Sequence, residues 1–343
     1  MTESGGALVP GTAENVARLL DAAARFFTSQ AIFAFTRLGL ADILAQGNTP
    51  IINLASATGT HEQSLSRVLR AVAHSGLVTI DPNATVSLTD MGHLLRIDHP
   101  MSLRPLVIYL AEDWMWHCAS DMEASLKTEV PAFDRRYQQS LFEFFEARKD
   151  RALIFDEAMT ASSRYTNAAF LDAYRIPDHS RVIDIGGGQG NFISEILESN
   201  TTLSGTLFDL PRVIQSARTN DAISGRCEFI EGNFFDRVPS GGDIYILRGV
   251  IHDWNDEDAV AILKNCRSAM TRRSKLLILE TMAPPIEHYF PGQFIDFQIF
   301  LLTPGRERTE AEFRSLLAAS GLKLRQVLPI FSFFALLEIC ISD

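Results

Sequence analysis

The stretch Val182–Gly190, which reads VIDIGGGQG, decides the fold of this chain. It joins a short apolar run that contains Asp184 to four glycines in five positions, and then to the apolar start of a helix. A buried strand that ends in a glycine turn and continues into a helix presents bare backbone N–H groups to a ligand. The stretch therefore predicts a nucleotide-type cofactor site at the end of a sheet strand.

The spacing of the glycines distinguishes two classes of cofactor. The dinucleotide fingerprint G-x-G-x-x-G needs a third glycine where this chain has Asn191, whereas the pattern D-x-G-x-G fits. The Asp184 carboxylate would repel a pyrophosphate and attract an ammonium group. We therefore expect S-adenosylmethionine as the cofactor. Asp209, at the end of the next apolar run, is placed to accept hydrogen bonds from two ribose hydroxyls.

Length and composition limit the class of protein. A chain of 343 residues favours two domains over one, and 46% hydrophobic with 21% charged residues is typical of a globular protein. The net charge of −11 argues against binding to nucleic acid phosphates or anionic lipid, so we expect a small-molecule partner. The four cysteines form no C-x-x-C pair, which predicts neither a zinc site nor a disulfide framework. Without a signal-peptide pattern or an apolar run of about 18 residues, we expect a cytoplasmic location and no membrane partner.

The N-terminal third of the sequence has helical periodicity. Apolar residues recur at three- and four-residue intervals from Ala13 to Leu40, which predicts one or two amphipathic helices that pack on their own domain or on a second subunit. Two helices around a Gly59 turn, followed by a hairpin around DPNA, resemble a winged helix. Acidic residues outnumber basic ones between Leu40 and Pro100, so a structural or dimerising role is favoured over DNA binding.

The rest of the chain changes character at about Arg181. Residues 100–180 read as helical and aromatic-rich, whereas strands and helices alternate from Arg181 onward, which predicts a parallel sheet with helices on both faces. LRQVLPI and FFALLEICI follow one another without a helix, so an antiparallel hairpin is expected at the C-terminus. We expect a winged-helix domain over 1–100, a helical linker contributing to a substrate pocket over 101–180, and a Rossmann-like α/β domain over 181–343.

Ligands of such sheets bind outside the carboxyl ends of the strands, and polar residues are concentrated there. These are Arg248, then His252, Asp253 and Trp254 in RGVIHDWNDED, and Glu280 after the fifth strand. A further carboxylate, Glu307 in PGRERT, comes before the last long helix. An imidazole, with a pKa near 6.5, is a suitable acceptor for the proton of a phenol, whose pKa is near 10. A carboxylate behind the ring would fix its tautomer and stabilise the imidazolium.

Six motifs follow one another along the chain in the order VIDIGGGQG, LFDLP, EGNFFD, HDW, LILE and PGRERT, and together they indicate a family. From about Ala13 to the C-terminus the chain resembles the plant and bacterial small-molecule O-methyltransferases, which use S-adenosylmethionine and carry an N-terminal winged-helix dimerisation domain. The resemblance implies a class I methyltransferase sheet and a homodimer. It also implies that His252 is the general base, held by Glu280 and Glu307, with Asp253 beside it.

The resemblance further implies two sets of contacts. Those to the cofactor are Gly186, Gly188, Asp184, Asp209, Asn233, Phe234, Arg248 and Ser163. Asn233 stands where many members have Asp, and Arg248 where plant members often have Lys; cofactor binding should survive both changes. Candidates for the substrate pocket are Met159, Trp254, Phe297, Phe300, Leu301 and Trp116, with Tyr109 and Trp114 as further aromatic residues. Each fits a core position at least as well, and together they suggest a flat, apolar, aromatic substrate.

The leading hypothesis is O-methylation of a phenolic or enolic hydroxyl on a secondary metabolite, with no metal required. N-methylation stays open, as does a methyltransferase scaffold that binds S-adenosylmethionine but catalyses a hydroxylation or a pericyclic reaction. A transcription regulator that uses the winged helix is a third possibility. His252 with both glutamates favours methyl transfer, and the acidic composition counts against the regulator.

Overall fold

The computed structural model describes residues 12–219, 223, 225–285, 288, 290 and 292–342. The chain forms two compact units, Met1–Glu112 and Asp113–Asp343. Among the helices of the described residues, none is both long enough and apolar enough to cross a membrane.

The first unit is mainly helical. Its described helices are α1 (Thr12–Arg37), α2 (Leu40–Leu44), α3 (Ile51–Thr58), α4 (Glu62–His74), α5 (Asp90–His93) and α6 (Arg104–Leu110), and its strands are β1 (Thr49–Pro50), β2 (Val78–Ile80) and β3 (Thr85–Leu88). Gly59, at φ 65°, ends α3 and turns the chain into α4. Strands β2 and β3 pair antiparallel. The predicted helix–turn–helix and hairpin are therefore confirmed.

Helix α1 carries apolar side chains along its whole length, but only its C-terminal part is covered. Phe33 and Phe35 are buried in this unit. Leu19 and Phe27, in contrast, are 70% and 66% exposed. The N-terminal half of α1 thus presents an apolar face that residues 12–112, the described part of its unit, leave exposed.

The second unit contains the alternating elements. Its described helices are α7 (Asp113–Ser120), α8 (Met122–Thr128), α9 (Ala132–Tyr137), α10 (Leu141–Ala147), α11 (Lys149–Ala173), α12 (Asn191–Ser199), α13 (Pro211–Ala217), α14 (Asp256–Ala269), α15 (Gln293–Leu302) and α16 (Glu310–Ala319). Its strands are β4 (Arg181–Ile185), β5 (Ser204–Asp209), β6 (Cys227–Glu231), β7 (Ile244–Arg248), β8 (Lys275–Thr281), β9 (Leu322–Phe331) and β10 (Phe334–Ile341).

The seven strands form one sheet in the order β6-β5-β4-β7-β8-β10-β9. Strands β4 to β8 pair parallel with one another, whereas β10 runs antiparallel to both β8 and β9. The predicted C-terminal hairpin is confirmed, and its second strand adjoins β8 while β9 forms the edge. Strand order reverses between β4 and β7, and the crevice at such a reversal is where ligands bind in open α/β sheets.

Both faces of the sheet are buried. Alternate residues of one strand point to opposite faces, so Ile183 packs with side chains of α14 and α16, whereas Val182 packs with those of α11, α12 and α13. Burial on both faces explains why the central strands read as continuous apolar runs. The core thereby holds the carboxyl ends of β4, β7 and β8 side by side.

Candidate active site

The glycine loop begins where β4 ends. Gly186, Gly188 and Gly190 have φ values of 68°, 59° and 73°, in the left-handed region that favours glycine. Gly187 is required for a different reason, because a Cβ there would lie 2.5 Å from Asp184 Oδ2. The loop therefore has no room for a side chain at Gly187, where it passes over Asp184.

Asp184 is buried below this loop, and neither of its carboxylate oxygens has a hydrogen-bond partner among the described residues. Burial raises the pKa of Asp184 to about 7, while the charge of Arg248 opposes this shift and Asp209 adds to it. A buried carboxylate without a partner is costly unless a ligand supplies a donor or a positive charge. The ammonium group of S-adenosylmethionine fits this requirement.

Asp209, at the end of β5, is tied to the same loop. Its Oδ2 accepts a hydrogen bond from Gly188 N at 2.9 Å, and its Oδ1 accepts one from Leu210 N at 2.7 Å. Burial raises the pKa of Asp209 to about 6, and these two backbone bonds oppose the shift. Each carboxylate oxygen keeps a second lone pair, so the side chain can still accept hydrogen bonds from ribose hydroxyls.

Two of the predicted cofactor contacts, Asn233 and Phe234, lie after β6. The Oδ1 of Asn233 accepts a hydrogen bond from Phe235 N at 2.9 Å, which leaves one lone pair on this oxygen. The ring of Phe234 lies against the glycine loop, since a Cβ on Gly186 would be 3.7 Å from Phe234 Cε1.

Arg248 and Ser163 meet at the end of β7. The guanidinium donates to Ser163 O at 3.1 Å and to Thr166 Oγ1 at 2.6 Å, and it lies 5.0 Å from the centre of the Phe192 ring. The Ser163 hydroxyl itself donates to Thr160 O. Burial lowers the pKa of Arg248 to about 10, against the opposing charges of nearby carboxylates that include Asp184. Arg248 thus joins the end of β7 to α11.

Three residues were missed from the sequence: Asp156, Thr160 and Asn167, which form a polar stripe on α11 together with the predicted Ser163. Asp156 Oδ2 accepts from Gln189 Nε2 at 3.0 Å, and Thr160 Oγ1 is 3.2 Å from Asn191 Nδ2. Asn167 Nδ2 donates to Glu195 Oε1 at 3.0 Å. The spacing of three and four residues was a readable signal of one helix face. This stripe connects α11 to the glycine loop and to α12.

His252 lies in a 3₁₀ turn, Ile251–Asp253, that follows β7. Its Nδ1 is 2.9 Å from Glu307 Oε1 and 3.4 Å from Glu280 Oε2, so the predicted pair of glutamates converges on one ring nitrogen. Asp253 Oδ1 lies 3.9 Å from Nε2. With an Nδ1–H donated to Glu307, the lone pair of the neutral ring is on Nε2.

The electrostatics of this cluster favour a charged imidazole. Burial alone would lower the pKa of His252, but Glu280, Glu307 and Asp253 together raise it well above 6.5. Burial raises the pKa of Glu280 to about 7 and that of Asp253 to about 6, and the charge of His252 opposes both shifts. Glu280 Oε1 accepts from the N–H groups of Val250 and Ile251, which fixes this carboxylate at the start of the turn.

The ligand atoms of His252, Glu280 and Glu307 lie within 4.8 Å of one another, a spacing that could also hold a metal ion. The bond between Nδ1 and Oε1 already uses one nitrogen and one oxygen of this set.

The residues predicted to line the substrate pocket are distributed over several elements. Met159 is on α11 and Trp116 is on α7, both partly buried. On α15, Phe297 is exposed, Phe300 is partly buried and Leu301 is buried. Helix α15 packs against α7 and α9.

The remaining aromatic candidates pack against other rings. Trp254 stacks on Phe142 at 5.6 Å and meets the Phe235 ring edge-on at 4.7 Å. Trp114 is buried within an aromatic cluster and contacts Phe133 edge-on at 5.7 Å. Tyr109 is buried in α6 of the first unit.

Comparison with known proteins identifies the family. The model of the O-methyltransferase domain matches residues 116–323, and that of the O-methyltransferase dimerisation domain matches residues 15–97. Phenazine O-methyltransferase PhzM of Lysobacter antibioticus is 36% identical, with 93% of this chain and 94% of the relative covered. The 8-amino-8-demethylriboflavin N,N-dimethyltransferase of Streptomyces davaonensis is 34% identical, with 90% of each covered.

A solved structure of a relative contains the cofactor. An O-methyltransferase from neocarzinostatin biosynthesis, in complex with S-adenosylmethionine and 2-hydroxy-5-methyl naphthoic acid, matches with a TM-score of 0.76 and 31% identity, covering 92% of this chain and 96% of that one. The glycine loop and the unpartnered Asp184 carboxylate fit the same cofactor. The chain belongs to the S-adenosylmethionine-dependent O-methyltransferase family of secondary metabolism.

Proposed function

We propose that this protein methylates a phenolic or enolic hydroxyl of a small aromatic secondary metabolite, with His252 as the general base. The observation that carries the proposal is the arrangement of Glu307 and Glu280 at 2.9 Å and 3.4 Å from the same ring nitrogen. Both carboxylates support Nδ1, so Nε2 is the nitrogen available to take a proton. The His252 side chain is 16% exposed.

The electrostatics of the cluster explain why this histidine suits a phenol. A phenol with a pKa near 10 is a weak acid for an ordinary imidazole, whose pKa is near 6.5. The carboxylates raise the pKa of His252 and so bring it closer to that of the phenol, which makes proton transfer from the phenol to the imidazole less unfavourable. The neutral ring accepts the proton at Nε2, and Glu307 and Glu280 stabilise the imidazolium that results.

S-adenosylmethionine, when bound, supplies a methyl group on a positively charged sulfur that an oxygen nucleophile can attack. We propose that the predicted contacts hold it: the loop with Gly186 and Gly188, the carboxylates of Asp184 and Asp209, and, around the rest of the molecule, Asn233, Phe234, Arg248 and Ser163. The chain's role is then to align the hydroxyl with the methyl group and to remove one proton.

We propose a flat aromatic substrate held by Met159, Trp116, Trp254, Phe297, Phe300 and Leu301. The naphthoic acid in the complex of the relative supports this shape. The helical segment 101–180, predicted to contribute to the pocket, supplies Met159 and Trp116, both partly buried in the second unit. The large rings match a planar ligand, because aromatic side chains pack favourably face to face or edge to face.

N-methylation is the second candidate, because one relative of similar identity is named an N,N-dimethyltransferase. A neutral aromatic amine is nucleophilic enough to attack before it loses a proton, and the methylated nitrogen loses that proton afterwards, whereas a neutral phenol is a poor nucleophile until its proton is removed. The arrangement around His252 therefore favours a hydroxyl over an amine. The non-methylating reactions are not favoured.

A homodimer is supported by the match of residues 15–97 to the dimerisation domain. We propose that the dimer forms through the first unit, where the exposed Leu19 and Phe27 of α1 offer an apolar surface. Light scattering on the wild type and on a Leu19→Glu, Phe27→Glu variant tests this. A dimeric wild type and a monomeric variant are expected, and a monomeric wild type would contradict the proposal.

Methyl transfer to matched phenols and anilines tests the proposed reaction. The wild type and His252→Ala are incubated with methyl-labelled S-adenosylmethionine and each member of the panel. We expect label on phenols with the wild type and a loss of about 10²- to 10⁴-fold with His252→Ala. Label confined to the anilines, at equal rates in both proteins, would replace O-methylation by N-methylation.

A further inference from the structure

We propose that Arg308 is a positioning residue that holds the His252 turn in place for proton transfer; this inference rests on the proposed role of His252. Arg308 is 1% exposed, although arginine side chains are seldom fully buried. Its Nη1 donates to Ile251 O at 3.0 Å and its Nη2 donates to Trp254 O at 2.7 Å. These two carbonyls lie on either side of His252, so one guanidinium fixes both ends of the turn.

The backbone of Arg308 is fixed to a second part of the site. Its carbonyl accepts a hydrogen bond from Ala283 N at 3.1 Å, and Arg308 forms a parallel bridge with Met282. Met282 follows the strand β8 that carries Glu280, and Glu307 directly precedes Arg308. A single residue thus connects both carboxylates and the imidazole that they support.

The loop before Arg308 lies against the same turn. A Cβ on Gly305 would be 1.9 Å from His252 O and 2.6 Å from Trp254 N, so only glycine fits. Glu307 N, in addition, donates to Asp296 Oδ1 at 3.0 Å, which ties the loop to α15. Backbone packing at Gly305 and side-chain hydrogen bonds at Arg308 therefore act on one turn from one loop.

Arginine is the residue type that this position needs. Its planar fork reaches two carbonyls and also donates to Asp256 Oδ1 from Nε at 3.0 Å and from Nη2 at 2.8 Å. A lysine ammonium is a single point and could not satisfy these separated acceptors together. Burying the guanidinium is costly, and the hydrogen bonds to the two carbonyls and the carboxylate offset that cost.

Arg306 provides a matched control two residues away. It contacts the other oxygen of Asp256, Oδ2, at 3.0 Å and Glu312 Oε1 at 3.3 Å, and its side chain is 49% exposed. Both arginines thus pair with the same carboxylate. Only the contacts of Arg308 with Ile251 O and Trp254 O are tied to the His252 turn.

The test compares Arg308→Lys, Gly305→Ala and Arg306→Lys with the wild type. The measurements are kcat, KM for a phenol, the pH profile, the Kd of S-adenosylmethionine and the Tm. A shift of about 1 Å in a catalytic group costs about 100-fold in rate, so we expect Arg308→Lys to lower kcat by about 10- to 100-fold. The rising limb of its pH profile should move to lower pH, because a displaced ring loses part of the influence of Glu307. The Kd should stay within about twofold, since the glycine loop is untouched.

The outcomes separate a positioning role from a structural one. Arg306→Lys should match the wild type, and Gly305→Ala should repeat the loss in kcat with the Kd preserved. If Arg308→Lys does not fold, Gly305→Ala decides by the same criteria. A wild-type kcat and pH profile in Arg308→Lys would overturn the inference, and so would a kcat that falls only together with cofactor affinity and Tm.

His252→Gln in the same series separates this inference from the proposed function. If it keeps the wild-type rate, the proposed base is wrong and the role of Arg308 is wrong with it. If His252→Gln is inactive while Arg308→Lys is as fast as the wild type, only the inference about Arg308 is wrong.

Discussion

Replacement of Glu307 by glutamine isolates the contribution of one charge to the proposed base. Glutamine keeps the size of the side chain and an oxygen that can accept the bond from His252 Nδ1. The Glu307 side chain is almost fully buried, so water does not screen its charge and the loss of that charge should be felt by the imidazole. The substitution therefore changes the electrostatics of the imidazole while it preserves the hydrogen bond.

The size of the effect follows from the distance of 2.9 Å between His252 Nδ1 and Glu307 Oε1. At that distance two unit charges attract by about 1.4 kcal/mol at the dielectric constant of water and by about 5.7 kcal/mol at an effective value of about 20. Since one pKa unit is about 1.36 kcal/mol, the pKa of His252 should fall by about one to four units. Glu280, at 3.4 Å, remains to support the ring.

Two consequences for the rate have opposite signs. A lower pKa leaves more of the ring neutral at pH 7, so the rising limb of the profile moves to lower pH. The ring is then also a weaker base toward a phenol, so the plateau falls, by about tenfold if the pKa falls by one to two units. Because kcat/KM reports the groups of the free enzyme, it is the quantity that the structure addresses.

The assay measures kcat/KM for label transfer to a phenol between pH 5 and pH 10, with cofactor affinity determined separately. Glu310→Gln is the matched control, because Glu310 is a half-exposed carboxylate that pairs with Arg314. It should reproduce the wild-type profile. A rising limb in Glu307→Gln that stays at the wild-type position, or moves to higher pH, would refute the reasoning.

Three further predictions concern the cofactor loop and the carboxylate cluster. Binding of S-adenosylmethionine at pH 7 should release protons, because an ammonium group lowers the pKa of Asp184 from about 7; calorimetry in two buffers of different ionisation enthalpy measures this release. Asp184→Asn should bind about 10- to 100-fold more weakly and without the release, and an unchanged affinity would count against the assignment. Gly187→Ala should lower both Tm and cofactor affinity because its Cβ would lie 2.5 Å from Asp184 Oδ2, whereas Gly225→Ala, whose Cβ would have no atom of the described residues within 4 Å, should change neither. Prolonged dialysis against EDTA should leave the methyl transfer rate unchanged, and a loss restored by a divalent metal would reassign His252, Glu280 and Glu307 as ligands.

Much of the fold could be predicted because local signals agree with the tertiary structure. Helix α16 begins at Glu310 because Thr309 and Glu312 form both hydrogen bonds of the capping box. The central strands are apolar runs because both faces of the sheet are covered. The position of β10 between β8 and β9 was not predicted. The sequence did carry a signal for this order. Strand β10 is almost continuously apolar, as expected for an interior strand that is buried on both faces, whereas apolar and polar residues alternate in β9, as expected for an edge strand.

The site was predictable where chemistry follows a strand end. His252 follows β7 and Glu280 lies near the end of β8, and parallel strands bring their carboxyl ends to one edge. Glu307 comes before α16 instead, and its grouping with His252 was implied by the family resemblance. Arg308 was not singled out, because in PGRERT the two arginines around Glu307 look equivalent and only the folded chain buries one of them. Asp156 and Thr160 of the stripe on α11 were missed for a similar reason: their partners Gln189 and Asn191 approach them only in three dimensions.

The central claim, that the imidazole of His252 removes a proton from the substrate hydroxyl, is tested most directly with two phenols in single-turnover methyl transfer. One phenol has a pKa of about 10, and the other is a nitrophenol that is already ionised at the pH of the assay. His252→Ala should lose about 10²- to 10⁴-fold in rate with the first and far less with the second, because an ionised oxygen needs no base. An equal loss with both phenols, at saturating S-adenosylmethionine, would contradict the claim.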